Sequence, residues 1–370
     1  MSLRPTQSGS GFLSFNSMPP RLHITADTEE FDIDTIQQWR DEGFDVTYLP
    51  RRGGGRPYAD KLTSLADDLE LGEAYAIVAY GQAATDCLIV HQKPMPHLCA
   101  LICFYPSDIP NPTASYPTQM QLQVHLAAGQ GFAPKFPAFV YDGVSPGFAE
   151  NDVDEFDPAA SGLSWSRALS AVRRGFKMDV DLEKVVGVGL PVGGLYESLE
   201  YPQINPASRM KHTVPEPYVN YVSSQTGGVD RPTIMRFYQN FFAPLPPSLS
   251  TRLVSRIASV DRVVSEFILT FRHTHVIPFL LPGVPPTNKP VQIPMVSILA
   301  VRGKKLEHEH VYWDQASVLE QIGGLDPNAV PEDWKRKGCK RLPVIGVDQA
   351  KGVYDIEEIA DDMNKLVKGW

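Results

Sequence analysis

From Arg21 the chain alternates short apolar runs with stretches of helical period. RLHITAD reads as a strand, DIDTIQQWRDEG as a helix closed by Gly43, and FDVTYLP as a second strand. YADKLTSLADDLELG follows as a helix and YAIVAY as a strand, then a turn and the helix ATDCLIVHQ. LCALICFYP, MQLQVHLAAG and FPAFVYDG supply three more strands. Strands alternating with helices predict a parallel sheet covered on both faces, with reactive groups in the loops at the strands' carboxyl ends.

The second half has a different rhythm. Between about Asp181 and Thr226, proline and glycine clusters mark a domain connection, although Tyr196, Tyr201, Tyr218 and Tyr221 make it stickier than a linker. Asp230 caps the predicted helix RPTIMRFYQNFF, with Ile234, Phe237, Tyr238 and Phe241 on one stripe. A second short helical run precedes three long strand patterns, DRVVSEFILTFRHTHVI, KPVQIPMVSILAVRG and KKLEHEHVYWDQASVL. Gly303-Lys304 makes a tight turn, so the last two pair antiparallel. Helices followed by a curved antiparallel sheet predict a cone around one pocket. The expected class is therefore α/β plus α+β: a leader over 1–20, a parallel-sheet domain over 21–180 and a connection over 181–225. A cone domain over 226–330 and a C-terminal extension over 331–370 complete the chain.

Composition narrows the function. A chain of 370 residues exceeds one ordinary core and suggests two domains. With 43% hydrophobic and 21% charged residues it reads as soluble and globular. A net charge of −9 argues against nucleic acid, which needs a basic surface. No run approaches the roughly 18 apolar residues of a membrane span, and the first twenty residues lack an apolar signal core. Cys87, Cys99, Cys103 and Cys339 are spaced neither as a disulfide framework nor as a zinc pattern. Buried free thiols in the cytoplasm are the expectation.

After the strand YAIVAY comes Gly81-Gln82-Ala83-Ala84-Thr85, laid out like a nucleophile elbow, where Ser or Cys occupies the third position. Here that position is Ala83, which can attack nothing. AYAIVAYGQAA, ALICFYP and FPAFVYDGVSPGFAE, followed by LSWSRALSAVRR, resemble the dienelactone hydrolase family of α/β-hydrolases over about residues 21–180. That resemblance implies a Cys at the elbow, a His in a Gly-Ala-Gly-His-Ala-Phe-like stretch, and an acid near Ala128-Gly129-Gln130-Gly131. The matching stretch is Gly143-Val144-Ser145-Pro146-Gly147-Phe148, with proline at the base position and no carboxylate at the acid position. Acyl transfer needs an activated heteroatom, so a pseudo-hydrolase scaffold is expected. Cys87 is the one substitute nucleophile within reach, and residual hydrolysis the corresponding alternative. Asp67-Asp68 and the acids from Glu150 to Asp157 read as a solvated face.

Strand alternation places Leu306, His308, His310, Tyr312 and Asp314 on one face, and Phe267, Leu269, Phe271, His273 and His275 on another. A bulge would swap the parity and put Glu309 and Trp313 inside instead. A carboxylate inside an apolar cone should have its pKa raised, and a neighbouring His would offset that. Four imidazoles could instead bind a metal or form a hydrogen-bonded rim at a dimer interface.

THVIPFLLPGVPPTNKPVQIPMV and GKKLEHEHVYWDQASVLEQIGGLDP resemble the SnoaL-like branch of the NTF2-like superfamily, over about residues 225–330. The combined order resembles a fused architecture of fungal proteins. In that branch an aspartate seven residues before the Gln of a Leu-Leu-x-Gln-Leu-Gly-like run acts as acid/base. Val318-Leu319-Glu320-Gln321-Ile322-Gly323 matches the run, which puts that role on Asp314. The resemblance implies metal-free, cofactor-free proton transfer on an apolar, carbonyl-bearing metabolite such as a polyketide-like precursor, by cyclisation, isomerisation or dehydration. His275 and His310 would hold or protonate the substrate oxygen. His273, His308, Tyr312, Trp313, Tyr238 and Phe271 would bind the substrate or shape its pocket. It also allows a homodimer. The alternative from another class is a non-catalytic carrier or sensor of a small molecule.

Overall fold

The computed structural model describes residues 19–184, 210–242, 245–355 and 357–367. It divides into two units, Met1–Asp179 and Val180–Trp370. Tyr196 and Tyr201 of the connecting stretch lie outside the described residues.

The first unit runs β1 (Arg21–Ala26), α1 (Ile33–Asp41), β2 (Asp45–Pro50), α2 (Gly55–Thr63), β3 (Tyr75–Tyr80) and α3 (Gly81–Val90). It continues through β4 (Leu98–Phe104), β5 (Gln121–Ala127), β6 (Ala138–Tyr141) and α4 (Pro158–Gly175). All six strands are parallel, in the order β2-β1-β3-β4-β5-β6. Every residue of β3 and β4 is buried, as their unbroken apolar runs require of strands covered on both faces. Trp39 of α1 packs on Trp165 of α4 with ring centres 4.5 Å apart. Tyr58 of α2 and Cys87 of α3 share a second buried cluster. Helix α2 is displaced from the expected 58–72. Ser64 ends it, its backbone N–H reaching Asp60 and Lys61 carbonyls and its hydroxyl donating to Lys61 O. Asp68 then pairs with Arg21 at 2.7 Å.

The second unit opens with one helical turn, α5 (Leu182–Lys184), and then β7 (Thr213–Tyr221), β8 (Thr226–Gly228) and α6 (Arg231–Phe237). Strands β9 (Ser250–Ala258), β10 (Arg262–Arg272), β11 (Pro290–Arg302) and β12 (Lys305–Trp313) follow. Helices α7 (Gln315–Ile322), α8 (Glu332–Arg336) and α9 (Asp348–Tyr354) and a 3-10 segment, Glu357–Asp362, complete it. The sheet order is β8-β7-β12-β11-β10-β9. Its pairs are antiparallel except β7 with β12, which is parallel. At Gly303 and Lys304 φ is 54° and 62°, the two left-handed residues of a tight hairpin.

Two sequence expectations fail here. The second short helical run is strand β9, held along β10 by an antiparallel ladder that outweighs local propensity. Asp230 caps α6 as expected, with a reciprocal Asp230–Thr233 box. The helix then widens into a π turn over Tyr238–Phe242, and the changed period rotates Phe241 out (43% exposed) and Phe242 in (6%). Phe242 thereby joins Tyr221, Phe237, Tyr238 and Phe279 in the core on the sheet's inner face.

Candidate functional site

One extra residue decides which side chains of β12 face that core. Ala300 of β11 pairs with His308, but its neighbour Val301 pairs with Leu306, leaving Glu307 opposite nothing. This is a β-bulge, and Arg302 holds its tip through an ion pair to Glu307 at 2.6 Å. Burial pushes the Glu307 carboxyl up, against the pull of Arg302 and Arg262. Beyond the bulge Glu309, Val311 and Trp313 are buried, 1%, 0% and 9% exposed. His308 and His310 are half-buried and Tyr312 is exposed. The shared face of Leu306, His308, His310, Tyr312 and Asp314 expected from unbroken alternation is therefore corrected. A one-residue insertion transfers every later side chain to the other face.

Glu309 does not sit alone. Its Oε1 accepts from Ser297 Oγ at 2.9 Å. Ser297 pairs directly with Ser265 across β11 and β10, and Ser265 Oγ accepts from Arg256 Nε at 3.2 Å. Ser265 and Ser297 are 4% and 2% exposed. A polar belt thus crosses four strands on an otherwise apolar face. Burial lowers the Arg256 pKa while Glu183 raises it. Burying the Glu309 carboxyl group as a charge costs several kcal/mol unless neighbours compensate, whereas Arg256 at the edge of the sheet is only half-buried.

The other expected site residues scatter. His273 is fully buried beside Phe271, its Nδ1 3.1 Å from Thr287 Oγ1. Its Nε2 has no hydrogen-bond partner among the described residues. Burial lowers its pKa. It stands eight residues from Ser265 on the same strand path, roughly 26 Å at the usual rise. His275 lies past the end of β10, its Nδ1 2.8 Å from Thr274 Oγ1. Tyr238, Phe271 and Trp313 line the inner core. On the opposite face His310 meets Tyr218 and Tyr312 edge-on and lies tilted against His308, so the four rings form a chain. Burial first, and then His310, Arg262 and Arg302, bring the His308 pKa down to about 4.

Asp314 is the N-cap of α7. It accepts from Ala316 N at 2.9 Å, Ser317 Oγ at 2.6 Å and Gln349 Nε2 at 2.5 Å. Burial raises its pKa, but these hydrogen bonds outweigh it and hold the carboxyl below its usual range, the opposite of the expected shift. Gln321 fixes the same helix: its amide accepts from Gln292 N at 2.9 Å and donates to Gln292 O at 3.0 Å. Gly323 closes it at φ 80°. The Asp-to-Gln spacing is thus also the spacing of two anchors of one helix.

In the first unit the strand order turns back between β1 and β3, where ligands of such sheets bind beyond the carboxyl ends. Helix α3 starts directly at Gly81, whose φ is +59° and where a Cβ would stand 2.7 Å from Asp27 Oδ2. That same oxygen accepts from Gln82 N at 2.9 Å. Ala83 and Cys87 are fully buried, and burial pushes the Cys87 thiol up to about 12. At the expected acid position Gln130 ties two loops, accepting from Ala127 N and donating to Pro106 O. Glu150, expected on a solvated face, is instead half-buried and accepts from Tyr105 Oη. Among the described residues no group of three or more His, Cys, Asp and Glu is placed to hold a metal.

Ser265, Ser297 and Arg256 were missed from the sequence. The two serines carry a visible signal: each occupies the buried period of its strand, after Val263 and between Met295 and Leu299. Arg256 gave none, because its stretch reads as helical.

No family model matches the chain and no curated protein matches it. Among solved structures, a ketosteroid isomerase-like hypothetical protein of Catenulispora acidiphila, in complex with trimethylamine, is 18% identical, with a TM-score of 0.27, over 38% of this chain and 93% of that one. A protein of Jannaschia sp., provisionally a SnoaL-like polyketide cyclase, is 16% identical with a TM-score of 0.29, over 39% and 90%. IdmH of Streptomyces antibioticus, provisionally a polyketide cyclase, is 20% identical with a TM-score of 0.27, over 35% and 94%.

Proposed function

We propose that the second unit acts on a small apolar, carbonyl-bearing molecule by proton transfer, with Glu309 as the group that takes and returns the proton. The observation that carries this reading is a carboxylate 1% exposed on the inner face of the sheet, accepting from Ser297. A buried carboxylate among apolar side chains is suited to removing a proton α to a carbonyl, because water no longer stabilises its charge. Ser297 orients it, and Arg256 balances charge at the far end of the belt. Met295, Phe267 and Leu269 supply the apolar wall. The SnoaL-like resemblance implies the same reaction class but puts the base on Asp314. The three donors on Asp314 favour Glu309. The first unit we read as a scaffold, on the burial of Ala83 and Cys87.

The probe is 5-nitrobenzisoxazole, which opens when one base removes one proton from carbon. Turnover should fall by about 100-fold or more in Glu309→Gln, the scale of a lost general base, and persist in Asp314→Asn. The reverse pattern would return the role to Asp314. Absence of turnover in the unaltered protein would favour the second reading, a non-catalytic carrier.

A further inference from the structure

The sheet of the second unit has another side, and the C-terminal extension builds a cavity on it. Arg252, Ile268 and Pro294 form one row across β9, β10 and β11. Ile268 faces away from the core yet is only 2% exposed, so something covers this row. Part of the cover is α9: the Arg252 guanidinium lies 4.8 Å from the centre of the Tyr354 ring. Between Pro294, α9 and the segment after it is a cavity of about 640 Å³, within the roughly 300–1,000 Å³ range of small-molecule sites.

Its chemistry is lopsided. Pro294, Val344, Val353 and Ile359 give it an apolar wall, while Met363 and Leu366 at its edge are 52% and 44% exposed. Two carboxylates line it, and each has a lysine beside it: Asp348 with Lys351 at 3.0 Å, and Asp362 with Lys365. Arg341 also lines it and, among the described residues, makes no ion pair. One of its nitrogens donates to Val344 O at 3.1 Å, which holds the guanidinium at the cavity without neutralising it. An apolar chamber with one uncommitted planar cation at its rim is matched by an amphipathic anion, a hydrocarbon body with one carboxylate.

We propose that this cavity binds an aliphatic carboxylate, its chain against Val353 and Ile359 and its head on Arg341. The site also touches the rest of the unit. Gln349 lines the cavity and donates to Asp314, so an occupant that draws on the Gln349 amide competes with the cap of α7.

Decanoate and decan-1-ol are the probes, with binding followed by calorimetry on the full chain. Decanoate should bind at one saturable site and the alcohol more weakly. Arg341→Glu, a change at an exposed residue, should weaken decanoate by about ten-fold or more while leaving the alcohol within about two-fold, as expected for loss of a charge-assisted contact. Val353→Trp should weaken both by putting an indole where the hydrocarbon chain lies, with circular dichroism confirming that the variant is folded. No saturable decanoate binding would overturn the proposal. So would equal binding of acid and alcohol, or binding that survives both substitutions. A decanoate affinity lost in Arg341→Glu but kept in a folded Val353→Trp would also overturn it, by placing the ligand on the surface.

Discussion

Ser297 donates to Glu309 at 2.9 Å although Ser297 is paired in the ladder with Val311. The contact is diagonal, two positions along one face of two adjacent strands. It exists because the bulge at Glu307 breaks the alternation, so that Glu309 and not His308 shares a face with Leu306. Ser297→Ala removes a hydrogen bond to a buried carboxyl group, and should lower stability by about 1–3 kcal/mol in urea unfolding. Ser297→Thr should recover part of that loss.

Deleting Glu307 should close the bulge without turning β12 over. Leu306 and His308 already lie opposite the adjacent residues Val301 and Ala300, so the shortened strand alternates regularly from Leu306 inward through His308 outward to Glu309 inward. The second unit should therefore keep its cooperative transition. Glu307→Ala keeps the count and sacrifices only the Arg302 pair, so it should retain that transition with a lowered midpoint, as thermal unfolding would report.

Asp314 is expected to show itself as a cap. Asp314→Ala should cost about 0.5–2 kcal/mol, and Asp314→Asn less, since Asn still accepts from a backbone N–H. The pH dependence follows from its lowered pKa. A carboxyl depressed in the folded state contributes stability that is present above its unfolded pKa and is lost as pH falls through the folded value. The acid-side decline in urea stability should therefore be shallower in Asp314→Asn than in the unaltered protein.

Much of this architecture was legible in the chain. The central strands β3 and β4 announced themselves because both of their faces are buried, so YAIVAY and LCALICF are unbroken apolar runs. The cap at Asp230 and the hairpin at Gly303-Lys304 are local signals, and the structure keeps both. His273 stayed on the face that alternation gave it because β10 runs regularly from Phe267 to Arg272 against β11. What failed was the count. A bulge at Glu307 and a π turn at Tyr238–Phe242 each change the period by a residue, and no composition signal marks either. The same ambiguity let Asp314 and Gln321 read as a catalytic spacing, when in the structure both also anchor α7.

Thiol chemistry gives an inexpensive check on the first unit. Cys87, Cys99 and Cys103 are buried, and only Cys339 of the four is partly accessible. Titration with a chromogenic disulfide at pH 8 should find one fast thiol in the native protein, removed by Cys339→Ser, and four after unfolding. An activated ester should show no turnover sensitive to Cys87→Ala, since a thiol with a pKa pushed up to about 12 supplies almost no thiolate near neutrality.

The proposed site requires two neighbouring side chains of β12, Glu309 and His310, to point to opposite faces. Nuclear Overhauser contacts on selectively labelled protein measure that directly. Glu309 methylene protons should contact the side chains of Ser297 and Leu299, while the His310 ring should contact Tyr218. Contacts from the His310 ring to Leu299 or Phe267, with Glu309 showing none to Ser297, would contradict it.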